Sequence, residues 1–451
     1  MINITDDHNT NYALRQDERE SNARTYAKTF RFAIKSAQGM MITDVNNKTY
    51  YDCLSCAGAL PLGHSNPQVI DALNVAIKDN VPFQTLDMMT PLKDEFTEAI
   101  FSSLPTKFAS RARIQFCSPC GTDAVEAAIK LTRIATQKSD ILAFRGAYHG
   151  MGQGAMSMMG NRQNKQQLPN LMGNTQFLPY PHKYRCPFGV GGDLTDEISI
   201  NYIRSLIEDQ EGGVTPAGMI AELVQGEGGV IPASDRWTQE IRKITHDHSI
   251  PLLIDEVQTG WGRTGKLYSF EHSNITPDVI ILSKAIGGGL PLAVIIYDKD
   301  LDVWKTGAHT GTFRGNTLAM ATGLATLKVI QQEELLNNSV LMGKRLKQHL
   351  SEIQKECFLI GDIRGRGLML GVEIIDHKKG TDILGNFLQS GEIARKIKLE
   401  CFDKGLIIET GGRDGGVLRF LPPLNINSEQ VDSISAIFRD ACLQVSRTYY
   451  A

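Results

Sequence analysis

Short apolar runs separated by amphipathic stretches organise the middle of this chain. Runs at 113–117, 141–144, 218–224, 251–257, 279–283 and 292–297 are rich in Ile, Leu, Val and Ala. Continuous runs of this kind read as strands buried on both faces. Between them the apolar positions follow helical spacing, as at Val125, Ala128, Ile129 and Thr132. The alternation from about residue 70 to 330 predicts a mostly parallel sheet covered by helices on both faces, an α/β architecture. Upstream, 30–53 reads as short strands with a turn at 44–48. After Leu335 a long amphipathic helix is predicted, with Leu341, Leu346 and Leu350 among its apolar positions. Strands near 368–373 and 417–421 follow, which predicts a small α+β domain. Residues 1–25 read as a mobile or partner-wrapping arm. The expected division is 1–70 (arm and part of the small domain), 71–330 (large domain) and 331–451 (C-terminal small domain). The chain carries no internal repeat and no low-complexity tract.

Two of the predicted strands end in ionisable groups. Pro251-Leu252-Leu253-Ile254 runs into Asp255, and Val279-Ile280-Ile281-Leu282-Ser283 runs into Lys284. Open α/β sheets bind ligands outside the carboxyl ends of their strands, so both groups are candidates for one site. An amine and a carboxylate so placed suit pyridoxal 5'-phosphate. Its aldehyde bonds to a lysine, and its ring nitrogen needs an anionic partner. A single lysine read alone is more often a surface group closing a strand. Other segments add weight. Cys117-Ser118-Pro119-Cys120-Gly121-Thr122-Asp123 reads as strand, turn and helix start. Helix N-termini bind phosphate, Gly121 permits close approach, and the Thr122 hydroxyl adds a donor; a plain helix cap is the other reading. Tyr148, before His149 and Gly150, offers a ring to stack on a planar group, or to fill a core. Glu222 and Glu227 share one glycine-rich turn, which hints at more than a change of direction. Thr312 lies in a polar loop, either a phosphate donor or plain surface.

Composition narrows the class. Hydrophobic residues make up 42% and the net charge is −3, so nothing draws the chain toward nucleic acid or an anionic membrane. No run approaches the length that spans a bilayer. The polar, acidic first residues lack the layout of a secretory or transit signal, so a cytoplasmic protein is expected. Eight cysteines are then expected to be free thiols. The pairs Cys53/Cys56 and Cys117/Cys120 have C-x-x-C spacing, but some sixty residues separate them, too many for a zinc ribbon. No metal is expected. Ile254-Asp255-Glu256 imitates the acidic strand end of a P-loop ATPase, yet no G-x-x-x-x-G-K-[ST] accompanies it.

Taken in order, Gly121-Thr122, Tyr148-His149-Gly150, Gln225-Gly226-Glu227-Gly228-Gly229, Asp255-Glu256-Val257-Gln258, Ser283-Lys284, Thr312-Phe313 and Arg419 resemble the class III aminotransferases. The resemblance runs from Asp44 to Leu424. It implies fold type I of the pyridoxal-phosphate-dependent transferases, with a mostly parallel seven-stranded sheet in the large domain. It implies that Lys284 bonds to the cofactor and shuttles the proton, and that Asp255 keeps the ring nitrogen protonated. Gln258 would touch the phenolic oxygen and Tyr148 the ring face, with His149, Glu222 and Val257 also around the cofactor. Gly121 and Thr122 would hold the phosphate. Thr312 would reach the phosphate of a neighbouring subunit, which implies a homodimer with shared active sites. Glu227 would gate Arg419, so that an ω-amine donor and a 2-oxo acid use one site in turn. Cys120 stands where the class often has Ser.

Within the class, Leu86-Asp87-Met88-Met89-Thr90-Pro91, Thr312-Phe313-Arg314-Gly315-Asn316 and Gly411-Gly412-Arg413 resemble the branch acting on L-2,4-diaminobutanoate. Its reaction moves the 4-amino group to 2-oxoglutarate. The alternatives are sister activities on ornithine, acetylornithine or 4-aminobutyrate, and then a pyridoxal-phosphate aminomutase.

Overall fold

In the computed structural model, which describes residues 7–166, 168 and 171–450, seven strands form the central sheet. They are β1 (Ala112–Phe116), β2 (Ile141–Phe144), β3 (Thr175–Leu178), β4 (Gly218–Ala221), β5 (Leu252–Asp255), β6 (Val279–Leu282) and β7 (Val294–Asp298). Their order across the sheet is β1-β7-β6-β5-β4-β2-β3. Only β7 runs against its neighbours β6 and β1; the pairs from β6 to β3 are parallel. Every residue of β2, β4, β5 and β6 is buried, as their unbroken apolar runs require.

Most predicted strands fall within a residue or two of their runs. The run at 218–224 breaks at Glu222, and Val224–Gln225 turns away to pair with Ile231–Pro232. The sheet also contains β3, for which no strand was expected. It is an edge strand and only Leu178 is buried, so its sequence lacks the apolar run that marks the others.

The predicted turn at 44–48 joins Met41–Asp44 to Thr49–Asp52. Asp44 Oδ1 accepts the N–H groups of Asn46 (2.9 Å) and Lys48 (2.8 Å), which closes it. Leu406–Ile407 adds in parallel to Thr49–Asp52, so the two ends of the chain share a four-stranded sheet. A second four-stranded sheet is antiparallel and contains Ile360–Arg366, Met369–Ile374, β8 (Glu409–Gly411) and β9 (Val417–Phe420).

The helix expected after Leu335 spans Leu335–Glu356. Leu346 and Leu350 are buried, whereas Leu341 is exposed. Leu341 lies five positions before Leu346, which turns it off the apolar stripe. In the expected arm, residues 1–6 lie outside the described residues, and His8–Arg19 is helical. That helix is tied to its own chain through Asn9, which bonds Asp44 Oδ2 (2.8 Å) and the Ala33 N–H (2.8 Å). No helix among the described residues is long and apolar enough to cross a membrane.

Candidate active site

A cavity of about 470 Å³ opens at the carboxyl ends of the central strands. Gly121, Thr122, Tyr148, His149, Glu222, Glu227, Asp255, Val257, Gln258 and Lys284 all line it. The topology explains the convergence. Each residue ends or follows one of β1, β2, β4, β5 or β6, and those strands run parallel. A larger cleft of about 1240 Å³ adjoins it and shares Glu227, but it lacks the lysine and the facing carboxylate.

Asp255 is fixed from two sides. His149 Nδ1 lies 2.8 Å from its Oδ2, and the Val257 N–H donates to its Oδ1 at 3.0 Å. Lys284 stands two residues beyond β6, with its backbone at φ +50°, a left-handed conformation that side-chain-bearing residues seldom adopt. Removal from bulk water lowers its ammonium pKa below the ordinary lysine range, against the pull of Glu227 and Asp255. The amine is therefore disposed to act as a neutral nucleophile.

Glu222 locks two turns together. Its carboxylate accepts the N–H groups of Tyr148 (2.9 Å) and Gly226 (2.9 Å). Burial raises its pKa, with Asp255 adding to the rise and His149 opposing it. Gly226 leaves room for the Gln258 side chain. A Cβ there would lie 2.0 Å from Gln258 Oε1. The Gln258 Nε2 donates to the Ala57 carbonyl (3.0 Å).

Helix α1 (Gly121–Thr136) aims its N-terminus at the cavity, where the first-turn N–H groups have no partner within the helix. Cys120 caps it without a hydroxyl. Its thiol and its N–H both donate to Asp123 Oδ2, at 3.0 and 3.3 Å. The Gly121 backbone packs so closely on Val257 that a Cβ would meet Val257 Cγ1 at 3.1 Å. Thr122 Oγ1 accepts the Gly152 N–H (2.9 Å), which leaves its own proton free to donate. Gly150 has φ +118°, and a Cβ there would come within 2.5 Å of Thr122 Cβ. Gly150→Ala is therefore expected to lower stability by about 1–3 kcal/mol and to weaken phosphate binding, read by thermal melting with and without cofactor.

Arg419 comes from β9 and is almost completely buried. Its Nη2 pairs with Glu227 Oε1 at 2.7 Å. Burial opposes its charge, but Glu227 and Glu409 outweigh that and hold its pKa above the usual range. Thr312 is exposed and does not line this cavity. Ala59, Met151, Leu290 and Pro291 do line it, although nothing in the sequence singled them out. They come from loops, and no periodic pattern marks a loop residue as facing a site.

These residues fit pyridoxal 5'-phosphate. Gln258 Oε1 and His149 Nε2 are buried without hydrogen-bond partners at the cavity wall, the glycine cradle admits a phosphate, and the amine and carboxylate are both present. All eight cysteines are free thiols.

The model of the aminotransferase class-III family matches residues 21–442. The chain is a class-III aminotransferase. This aminotransferase is 51% identical over 440 residues to a diaminobutyrate–2-oxoglutarate aminotransferase of Rhizobium meliloti, covering 97% of this chain and 94% of that one. It is 44% identical to a protein of the same name from Haemophilus influenzae, covering 96% and 95%. Among solved structures, a transaminase from Virgibacillus superposes with a TM-score of 0.87 at 23% identity, covering 97% of this chain and 99% of that one. The ornithine aminotransferase from Toxoplasma gondii gives a TM-score of 0.83 at 21% identity, covering 98% and 96%. At such identities the superpositions establish the fold alone.

Proposed function

We propose that this aminotransferase moves the 4-amino group of L-2,4-diaminobutanoate to 2-oxoglutarate, giving L-aspartate 4-semialdehyde and L-glutamate reversibly. One observation carries the use of an ω-amine donor with a 2-oxo acid, which the sister activities share: Glu227, at the wall of the lysine cavity, pairs with Arg419. A 2-oxo acid brings a carboxylate next to its reacting carbon; an ω-amine donor brings none there. A buried arginine without a counter-charge is costly, so a movable carboxylate reconciles the two substrates. The relatives in Rhizobium meliloti and Haemophilus influenzae support the choice of donor.

Pyridoxal phosphate, when bound, supplies an electron-withdrawing ring that stabilises negative charge on the substrate carbon. Asp255, held by His149 and Val257, is positioned to keep the ring nitrogen protonated. Lys284 Nζ is placed to bond the cofactor and to move the proton at the amine-bearing carbon. Tyr148 would cover the ring face, and Gln258 would face the phenolic oxygen. The N-terminus of α1, with Gly121 and Thr122, would hold the phosphate.

A panel of donors with 2-oxoglutarate, read by glutamate formation, tests the donor. Turnover of 4-aminobutyrate, ornithine or acetylornithine equal to that of diaminobutanoate overturns the choice. An aminomutase would release no stoichiometric glutamate. The gating role has its own test. Glu227→Gln should slow the donor half-reaction at least about tenfold and leave the oxo-acid half-reaction largely intact, measured by single-turnover kinetics; equal losses argue against gating.

The protein is proposed to work as a homodimer in which Thr312 reaches the partner's phosphate site. Exposed Phe83, Leu86, Met88, Met89 and Phe313 support this, since large apolar groups cluster near that loop. Arg314 pairs with Asp87 at 2.5 Å and joins the two segments. The proposed domain division at about residues 70 and 330 is supported by the sheet shared between the chain ends. Free, mostly buried thiols fit a reducing compartment such as the cytoplasm.

A further inference from the structure

The proposed activity leaves one end of the donor unread. In diaminobutanoate, the end away from the reacting amine carries an α-ammonium and an α-carboxylate. In 4-aminobutyrate that end is a carboxylate alone. A protein that discriminates them needs an anion placed for the ammonium.

Glu409 supplies one. It lies on β8 directly opposite Arg419 on β9, and such paired residues project from the same face of a sheet. Its side chain is buried. Oε1 accepts the Thr410 N–H at 2.8 Å, but Oε2 is buried with no hydrogen-bond partner. Lys398 does not satisfy it. Its Nζ stays 3.9 Å from Glu409 and donates to Thr410 Oγ1 at 3.2 Å. Arg419 does not either, since its nearest acid is Glu227, and its Nε and Nη1 are also unpartnered. The cluster adjoins the lysine cavity. Glu409 faces Arg419 across the sheet, Arg419 reaches Glu227 at 2.7 Å, and Glu227 lines that cavity. A buried carboxylate oxygen without a donor is costly unless a ligand completes it.

Resting on the activity proposed above, we infer that Glu409 is a specificity residue, whose Oε2 accepts a hydrogen bond from the α-ammonium of the donor. Glu409 and Glu227 are balanced by Arg419 and Lys398, so a donor end that is itself zwitterionic keeps the cluster neutral. A bare carboxylate would meet Glu409 with no ammonium to answer it. The site therefore favours diaminobutanoate over 4-aminobutyrate and over acetylornithine, whose α-nitrogen is uncharged.

The experiment compares kcat/KM for diaminobutanoate and 4-aminobutyrate in the holoenzyme and in Glu409→Gln and Glu409→Asp, with melting temperature and bound cofactor measured on each. Glu409→Gln keeps the shape and the acceptor for Thr410 but removes the charge. The expected result is a fall of about 30-fold or more with diaminobutanoate, mainly in KM. Turnover of 4-aminobutyrate should hold or rise. Glu409→Asp should recover part of the loss, because it restores the charge on a shorter arm. An equal fall for both donors, or no change in their ratio, overturns the inference. If the unaltered enzyme forms no glutamate from diaminobutanoate, the activity itself is wrong and the inference falls with it. If the unaltered enzyme prefers diaminobutanoate and the ratio is insensitive to Glu409, only the inference fails.

Discussion

Lys284→Ala is expected to lose the covalent link to the cofactor and to slow glutamate formation by about 10⁴-fold or more. The reason is positional. Nζ projects into a cavity faced by Asp255 and Glu227, and removal from bulk water shifts it toward the neutral form that attacks a carbonyl. Among the described residues no other lysine lines this cavity. Borohydride treatment followed by peptide mass spectrometry checks the link, and coupled glutamate detection checks the rate. The unaltered protein should carry the pyridoxyl mass on the peptide containing Lys284. An adduct on a different side chain would sink the assignment.

Asp255→Asn is expected to retain cofactor while lowering kcat about 10²–10³-fold. Asparagine is nearly isosteric, so the backbone contact with Val257 and a bond to His149 can persist. The negative charge is what disappears. A carboxylate facing a cationic ring nitrogen in a water-poor site is favoured far more strongly than in bulk water. The absorbance of the bound cofactor tests retention, and single-turnover kinetics test the rate. Near-normal turnover would refute the assigned role. Asp255→Ala is a harsher version, since it also leaves His149 Nδ1 buried without its partner, at a cost of about 1–3 kcal/mol.

The chain itself determined the central sheet almost entirely. Strands β2, β4, β5 and β6 are buried on both faces, so their sequences must be continuous apolar runs and are visible as such. The edge strand β3 escaped notice because one open face relaxes that demand. Lys284 and Asp255 were legible for a related reason. An ionisable group that ends a buried run has few structural excuses, and parallel strands deliver such ends to one place.

What only the tertiary structure decided is which distant side chains meet. Arg419 and Glu227 lie far apart in the chain and pair at 2.7 Å, and only the resemblance to a family had linked them. Glu409 carried no signal, because a glutamate in a short strand is ordinary until its carboxylate proves buried and unpartnered. Ala59 and Met151 reach the cavity from loops, where no periodicity records direction. Sequence patterns encode burial along each element, since the hydrophobic effect acts on every residue locally. The matching of one charge to another across the fold is a pairwise property, and it exists only once the elements have packed.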